Sequence, residues 1–136
     1  MPLFQWTNDI SVGVEVLDKH HQKLVDIVNQ LHNAMREGRA KGVIVGIVNE
    51  LLDYTKYHFK EEEKLMERIS YSAIDEHKRA HGQFISTAQN YKAQAENGLE
   101  TFLSVSVSLM LTDWLKNHIG IMDKKYQKEM NENGIT

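Results

Sequence analysis

The sequence predicts an all-α protein, an up-down-up-down four-helix bundle with an N-terminal arm and a short C-terminal helix. Three observations predict it. Proline is absent after Pro2, so no helix interior loses a backbone donor. Apolar residues recur at three- and four-residue intervals over long stretches. Several glycines fall between those stretches, where short turns make successive helices antiparallel.

Residues 1–17 read as an extended arm, with Trp6 and the alternating Val12, Val14 and Val16 laid over the bundle. Asp18 is the expected N-cap of a first helix running to about Glu37, with Leu24, Ile27, Val28, Leu31 and Met35 at helical intervals and Gly38 as its stop. A second helix is expected from about Ala40 to Met66. Its run Val43-Ile44-Val45 favours a strand locally, but a sustained period near 3.6 outweighs that preference. The third helix runs from about Tyr71 to Glu96, where Asn97-Gly98 stops it. The fourth runs from about Leu99 to His118, and Gly120 is expected to break or bend the chain before a closing helix from Met122 to about Glu132. The domain reading is one unit over 1–136: arm 1–17, bundle 18–118, closing segment 119–136.

Composition narrows the function classes. A chain of 136 residues, 41% hydrophobic and 26% charged, suits a single soluble core that buries roughly two-thirds of its unfolded surface. No apolar run approaches the ~20 residues of a membrane helix, so direct membrane insertion is not expected. Met1-Pro2-Leu3-Phe4 lacks the features of a secretory signal and the chain has no cysteine, which together favour a cytoplasmic location. With a net charge of −3 and scattered Lys and Arg, no basic face is built for a phosphate backbone, and nucleic acid is not an expected partner.

The chemistry lies in the spacing of His21, His58, Glu62, His77, His81, His118 and Asp123. His58 and Glu62, four residues apart, share one helical face, and His77 and His81 repeat that interval on the next helix. Either pair alone is more simply a solvated face. Jointly they say more. In antiparallel hairpins His21, early in helix one, comes level with His58, late in helix two; His77 and His81 likewise come level with His118. Asp123 is harder to place, because five residues at ~100° each turn it about 140° from His118 on a straight α-helix. A bend at Gly120 is the expected remedy. Seven donors exceed the needs of one four- or six-coordinate ion, so two metals are expected, bridged by Glu62, Asp123 and a solvent-derived oxygen. Three imidazoles complete six-coordination on one metal, and two leave the other with an open position suited to a small diatomic ligand. Imidazole and carboxylate suit iron, manganese or zinc; only a redox-active metal gives oxygen binding, which favours iron.

The run His58-Phe59-Lys60-Glu61-Glu62-Glu63 with Met66 and Tyr71, and His77-Lys78-Arg79-Ala80-His81 with Phe84, resembles the central motif of the hemerythrin family. Asp18-Lys19-His20-His21 and Trp114-Leu115-Lys116-Asn117-His118-Ile119 leading to Asp123 are similar to its flanking motifs, and the likeness to the bacterial branch extends from Trp6 to Asp123. The resemblance implies a non-haem di-iron centre (Fe2+/Fe3+, oxo- or hydroxo-bridged) with His77, His81 and His118 on one iron, His21 and His58 on the other, and Glu62 and Asp123 bridging. It implies reversible O2 binding and no catalysis, with NO and azide-like anions as further candidate ligands. It also implies a receptor signalling domain as a partner, since this chain is similar to hemerythrin domains at the C-terminal end of methyl-accepting chemotaxis receptors.

Phe59, Trp114, Leu115 and Ile119 flank ligand positions and read first as core; as a dry wall around the open iron they also form the expected O2 pocket. His32 lies about 16 Å along the axis from His21 and reads as structural. His20, turned ~100° from His21, reads as solvent-facing or interhelical, and Glu61 and Glu63 as solvated. The competing functions are a stand-alone O2 carrier or store, a di-iron enzyme reducing peroxide, nitric oxide or O2, and a metal-storage or structural zinc protein. No flavin or iron–sulfur motif supplies electrons for the enzyme reading.

Overall fold

The computed structural model describes residues 4–98 and 103–136. Four helices, α1 (Glu15–Arg36), α2 (Ala40–Arg68), α3 (Ile74–Glu96) and α4 (Leu103–Asp113), form the bundle, and α5 (Gln127–Glu132) closes it. α2 packs against α1 and α3, and α4 against the same two helices from the other side, as an up-down-up-down bundle requires. The expected start of the fourth helix at Leu99 lies outside the described residues. Val43, Ile44 and Val45 are helical, so periodicity outweighs β-branching there.

The turns follow from backbone rules. α1 ends in a Schellman motif, with Gly38 at φ +71°, its N–H on Met35 O and Arg39 N–H on Ala34 O. The same motif ends α2, Ser70 (φ +53°) taking the left-handed position while Tyr71 N–H bonds Met66 O. That bond holds Tyr71 outside α3, which therefore begins at Ile74 and not at the expected Tyr71.

Two expectations at the N-terminal end are corrected. α1 starts at Glu15, and its N-cap is Val14, without a side-chain cap bond. Asp18 instead lies inside the first turn and reaches back to the arm: its carboxylate accepts bonds from Ser11 Oγ (2.6 Å) and Val12 N (2.8 Å), near a helix N-terminus that favours negative charge. Val12 and Val14 are buried, but Val16 is 40% exposed, because the chain has already turned helical there and alternation no longer holds.

The larger correction concerns the fourth helix. It neither stays α-helical to His118 nor breaks at Gly120. From Trp114 to Met122 the chain is π-helical, followed by a 3₁₀ turn at Asp123–Tyr126 and then α5. The Asp123 N–H bonds to His118 O, five residues back, and Asp123 keeps right-handed helical angles (φ −67°, ψ −33°). An i→i+5 bond widens the turn, so residue i+5 comes round over residue i. The five-residue interval that misplaces Asp123 on an α-helix thus brings it over His118 without a bend.

The apolar interior is divided into two clusters. One contains Leu24, Tyr54, Phe59, Phe84, Leu115 and Ile119. The other contains Val12, Val14, Leu17, Met66, Tyr126 and Met130, and has Ile74 packed against it. On each side of the bundle the interval between them holds the histidines and acids singled out above. His21 lies between Leu17 and Leu24, Glu62 between Phe59 and Met66, His77 and His81 between Ile74 and Phe84, and Asp123 between Ile119 and Tyr126.

Gly13 fixes the arm against α5. At φ +69° a Cβ there would fall 2.5 Å from Gln127 Nε2, and Gly13 O accepts a bond from Asn131 Nδ2 (3.0 Å). Gly13→Ala is expected to cost about 1–2 kcal/mol from the left-handed backbone alone, plus displacement of Gln127. Urea denaturation of the variant checks this, and unchanged stability would show that the arm is not held at Gly13.

Candidate metal centre

Four long elements each bring donors to the layer between the clusters: α1 His21, α2 His58 and Glu62, α3 His77 and His81, and the π-helical stretch His118 with Asp123 at its exit. All seven side chains are buried, none more than 7% exposed. Two sets of donor atoms lie mutually within 4.8 Å: Glu62, His77, His118 and Asp123, and His21, His58 and Glu62. His81 is in neither set but places Nε2 2.9 Å from Glu62 Oε1.

The carboxylates span the layer. Glu62 turns Oε2 toward His58 Nε2 (3.4 Å) and His21 Nε2 (3.6 Å), and Oε1 toward His81. Asp123 turns Oδ2 toward His21 Nε2 (3.4 Å), and Oδ1 toward His77 Nε2 and His118 Nε2, both at 3.0 Å. Each acid therefore gives one oxygen to the His21/His58 side and the other to the His77/His81/His118 side.

These separations fit metal ligands better than a hydrogen-bond network. Donors about 2.1 Å from a common ion lie about 3.0 Å apart at right angles and about 3.4 Å apart at tetrahedral angles. His21 Nε2 and His58 Nε2, 3.1 Å apart, match that spacing. His81 Nε2, His118 Nε2, Glu62 Oε1 and Asp123 Oδ2 have close polar neighbours but none aligned for a hydrogen bond. Donors aimed past one another, toward a shared point, are what an ion would satisfy.

Charge supports the same reading. Burial acts to raise the Glu62 carboxyl, but the imidazole of His58 and the close rings of His21 and His81 bring it well below its ordinary range. Burial and Glu62 act to raise Asp123, yet His118 and His77 bring it down as well. Two carboxylates thus stay ionised in a dry layer where, among the described residues, their ion-pair partners are imidazoles. Burial pushes His58 down to about 4, so that ring is neutral, as a ligand imidazole must be. At His81 burial acts downward, but the adjacent Glu62 carboxylate and the bond to Glu63 outweigh it and raise the pKa.

Aromatic rings back the imidazoles. Phe59 stacks on His81 (3.9 Å, 2°), Trp114 on His118 (3.7 Å, 9°) and Tyr54 on His58 (4.9 Å, 17°). Leu115 and Ile119 are fully buried in the adjoining apolar cluster. His32, half-buried higher on α1, belongs to neither donor set.

Three outer contacts went unforeseen in the sequence. Tyr126 donates its hydroxyl to Glu62 Oε2 (2.9 Å). Glu63, expected to be solvated, is half-buried and lies 2.8 Å from His81 Nδ1. His20, on the interhelical side and not in solvent, places Nδ1 3.0 Å from His58 Nδ1. Burial, then the nearby His21, lowers the His20 pKa and keeps the ring neutral. The three-residue interval from Asp123 to Tyr126 is the one signal that could have pointed to Tyr126; the other two contacts need the helix packing to be known.

Comparison with known proteins agrees with this geometry. The profile of the Hemerythrin HHE cation binding domain matches residues 12–129. The chain is 32% identical over 130 residues to the bacteriohemerythrin of Stenotrophomonas maltophilia, covering 96% of this chain and 83% of that protein. It is 34% identical over 121 residues to the Pseudomonas aeruginosa bacteriohemerythrin, covering 89% and 77%. Among solved structures, a hemerythrin with a leucine-to-alanine mutation superposes with a TM-score of 0.82 at 27% identity, covering 95% of this chain and 98% of that one. Wild-type hemerythrin gives 0.80, also at 27%, covering 93% and 96%. A shared fold, a matched domain over most of the chain and a buried layer of histidine and carboxylate donors lead to one conclusion: this chain belongs to the hemerythrin family.

Proposed function

We propose that residues 1–136 form one hemerythrin domain that holds two iron ions and binds O2 reversibly, as the oxygen- or redox-sensing domain of a cytoplasmic chemotaxis receptor region. His77, His81 and His118 would hold one iron and His21 and His58 the other, with Glu62 and Asp123 placed to serve both. The observation that carries the reading is the placement of each acid, with one oxygen facing each group of histidines. A bound iron pair would supply the open coordination position and the two electrons that reversible O2 binding uses. The protein's own contribution is position and dryness. Phe59 and Trp114 cover His81 and His118, while Leu115 and Ile119 extend the apolar wall and exclude the water that would hydrate a small anion. Tyr126 holds Glu62, and Glu63 keeps the proton of His81 on Nδ1, leaving Nε2 free to ligate. The donors comprise five imidazoles and two carboxylates, a set low in negative charge that favours the ferrous state and binding over O–O cleavage. Among the described residues no helix is long and apolar enough to cross a membrane. The arm that Asp18 and Asn131 fasten beside the layer is the segment through which a neighbouring domain would read the site's state.

Protein reconstituted with ferrous iron is expected to hold two irons per chain and to develop a charge-transfer spectrum in air that disappears on deoxygenation. One iron per chain, or a band that does not reverse, would overturn the oxygen-binding reading. Glu63→Gln is expected to weaken metal binding by about 10–100-fold, because His81 loses its anionic partner. Zinc competition against a chromophoric chelator measures this, and wild-type affinity would remove Glu63 from the site's support.

A further inference from the structure

We infer that His20 is a positioning residue that locks His58 in the tautomer a metal ligand needs, an inference that rests on the ligand set proposed above. The inward nitrogen of His58 is Nε2, 3.1 Å from His21 Nε2 and 3.4 Å from Glu62 Oε2. For Nε2 to offer a lone pair, the ring proton must sit on Nδ1, and that proton needs an acceptor because the ring is buried. The atom placed to accept it is His20 Nδ1, at 3.0 Å. Two imidazole nitrogens at that separation share one proton, so His58 donates, His20 accepts, and His20 carries its own proton on Nε2.

The geometry makes this a fixed arrangement. The two rings meet edge to face (5.2 Å, 85°), and Tyr57 meets His20 in the same manner (5.0 Å, 72°). His20 and His21 are consecutive on α1 and turned ~100° apart, so they approach the same α2 ring from two directions. His21 meets its inner nitrogen and His20 its outer one. A single turn of α1 thereby sets both the position and the protonation pattern of His58. The two outer partners also differ in kind: His81 has the carboxylate of Glu63, whereas His58 has a neutral ring. The His21/His58 side therefore gains an acceptor without gaining negative charge.

Zinc is the probe, titrated into metal-free protein against a chromophoric chelator. His20→Leu, which removes the acceptor, is expected to weaken one of two zinc sites by about 10–100-fold, while His20→Gln, whose amide oxygen can accept from Nδ1, stays near wild type. In the zinc-loaded unaltered protein, nitrogen-15 NMR is expected to show the His58 proton on Nδ1 and the His20 proton on Nε2. Two wild-type zinc sites in His20→Leu, or a His20 proton found on Nδ1, would overturn the inference and leave the ligand set standing. Unaltered protein that binds no zinc would overturn both. Should the leucine variant fail to fold, the NMR assignment on the unaltered protein decides the matter.

Discussion

Everything in this molecule is arranged around two ionised carboxylates held where water does not reach. Glu62 and Asp123 are fully buried, and taking a carboxylate out of water costs several kcal/mol unless positive charge and hydrogen bonds meet it. Among the described residues the groups that pair with these two acids are imidazoles, not lysine or arginine. A neutral imidazole can direct a lone pair but brings no charge, so the arrangement is stable when a cation sits among the donors. Without one, the counter-charge falls to protons on the rings, the state toward which His81 is displaced by Glu62 and Glu63. Metal binding and folding are therefore thermodynamically linked in this protein.

The bundle isolates that charge by placing it between two apolar clusters instead of inside one. The larger cluster fills the long bodies of the helices, and the smaller is closed by the arm, Tyr126 and α5. Each helix must therefore turn apolar residues inward above and below its polar donors, as α1 does with Leu17, His21 and Leu24. The flat rings of Phe59, Trp114 and Tyr54 form the joint between the layers, since an aromatic face covers an imidazole while leaving its ring nitrogens free.

Much of this was legible from spacing alone. The pairs His58/Glu62 and His77/His81 each lie one α-helical turn apart, and antiparallel hairpins bring His21 and His118 level with them, so the meeting of all five imidazoles followed from helix geometry. Composition could not show where a helix departs from the α form. At ~100° per residue Asp123 falls on the wrong face of an α-helix, and no residue type in the stretch marks the wider turn that carries it back. Asp18 looked like a cap because it precedes a periodic run, but donors in the arm compete for its carboxylate. Glu63 and His20 sit on the polar side of their own helices, and their partners come from other helices. A pattern read along one helix cannot reveal such contacts, which exist only after two helices pack.

The wide turns between Trp114 and Met122 also determine how the chain leaves the bundle. A broader coil spends more residues for the same advance along its axis, so the backbone lingers at the level of the donors instead of climbing past them. That delay lets one short stretch supply His118, Asp123 and, within the next turn, the Tyr126 hydroxyl to a single plane. Girth is exchanged for length, and the fourth side of the bundle delivers from one continuous stretch of chain an imidazole, a carboxylate and the hydroxyl that steadies the other carboxylate.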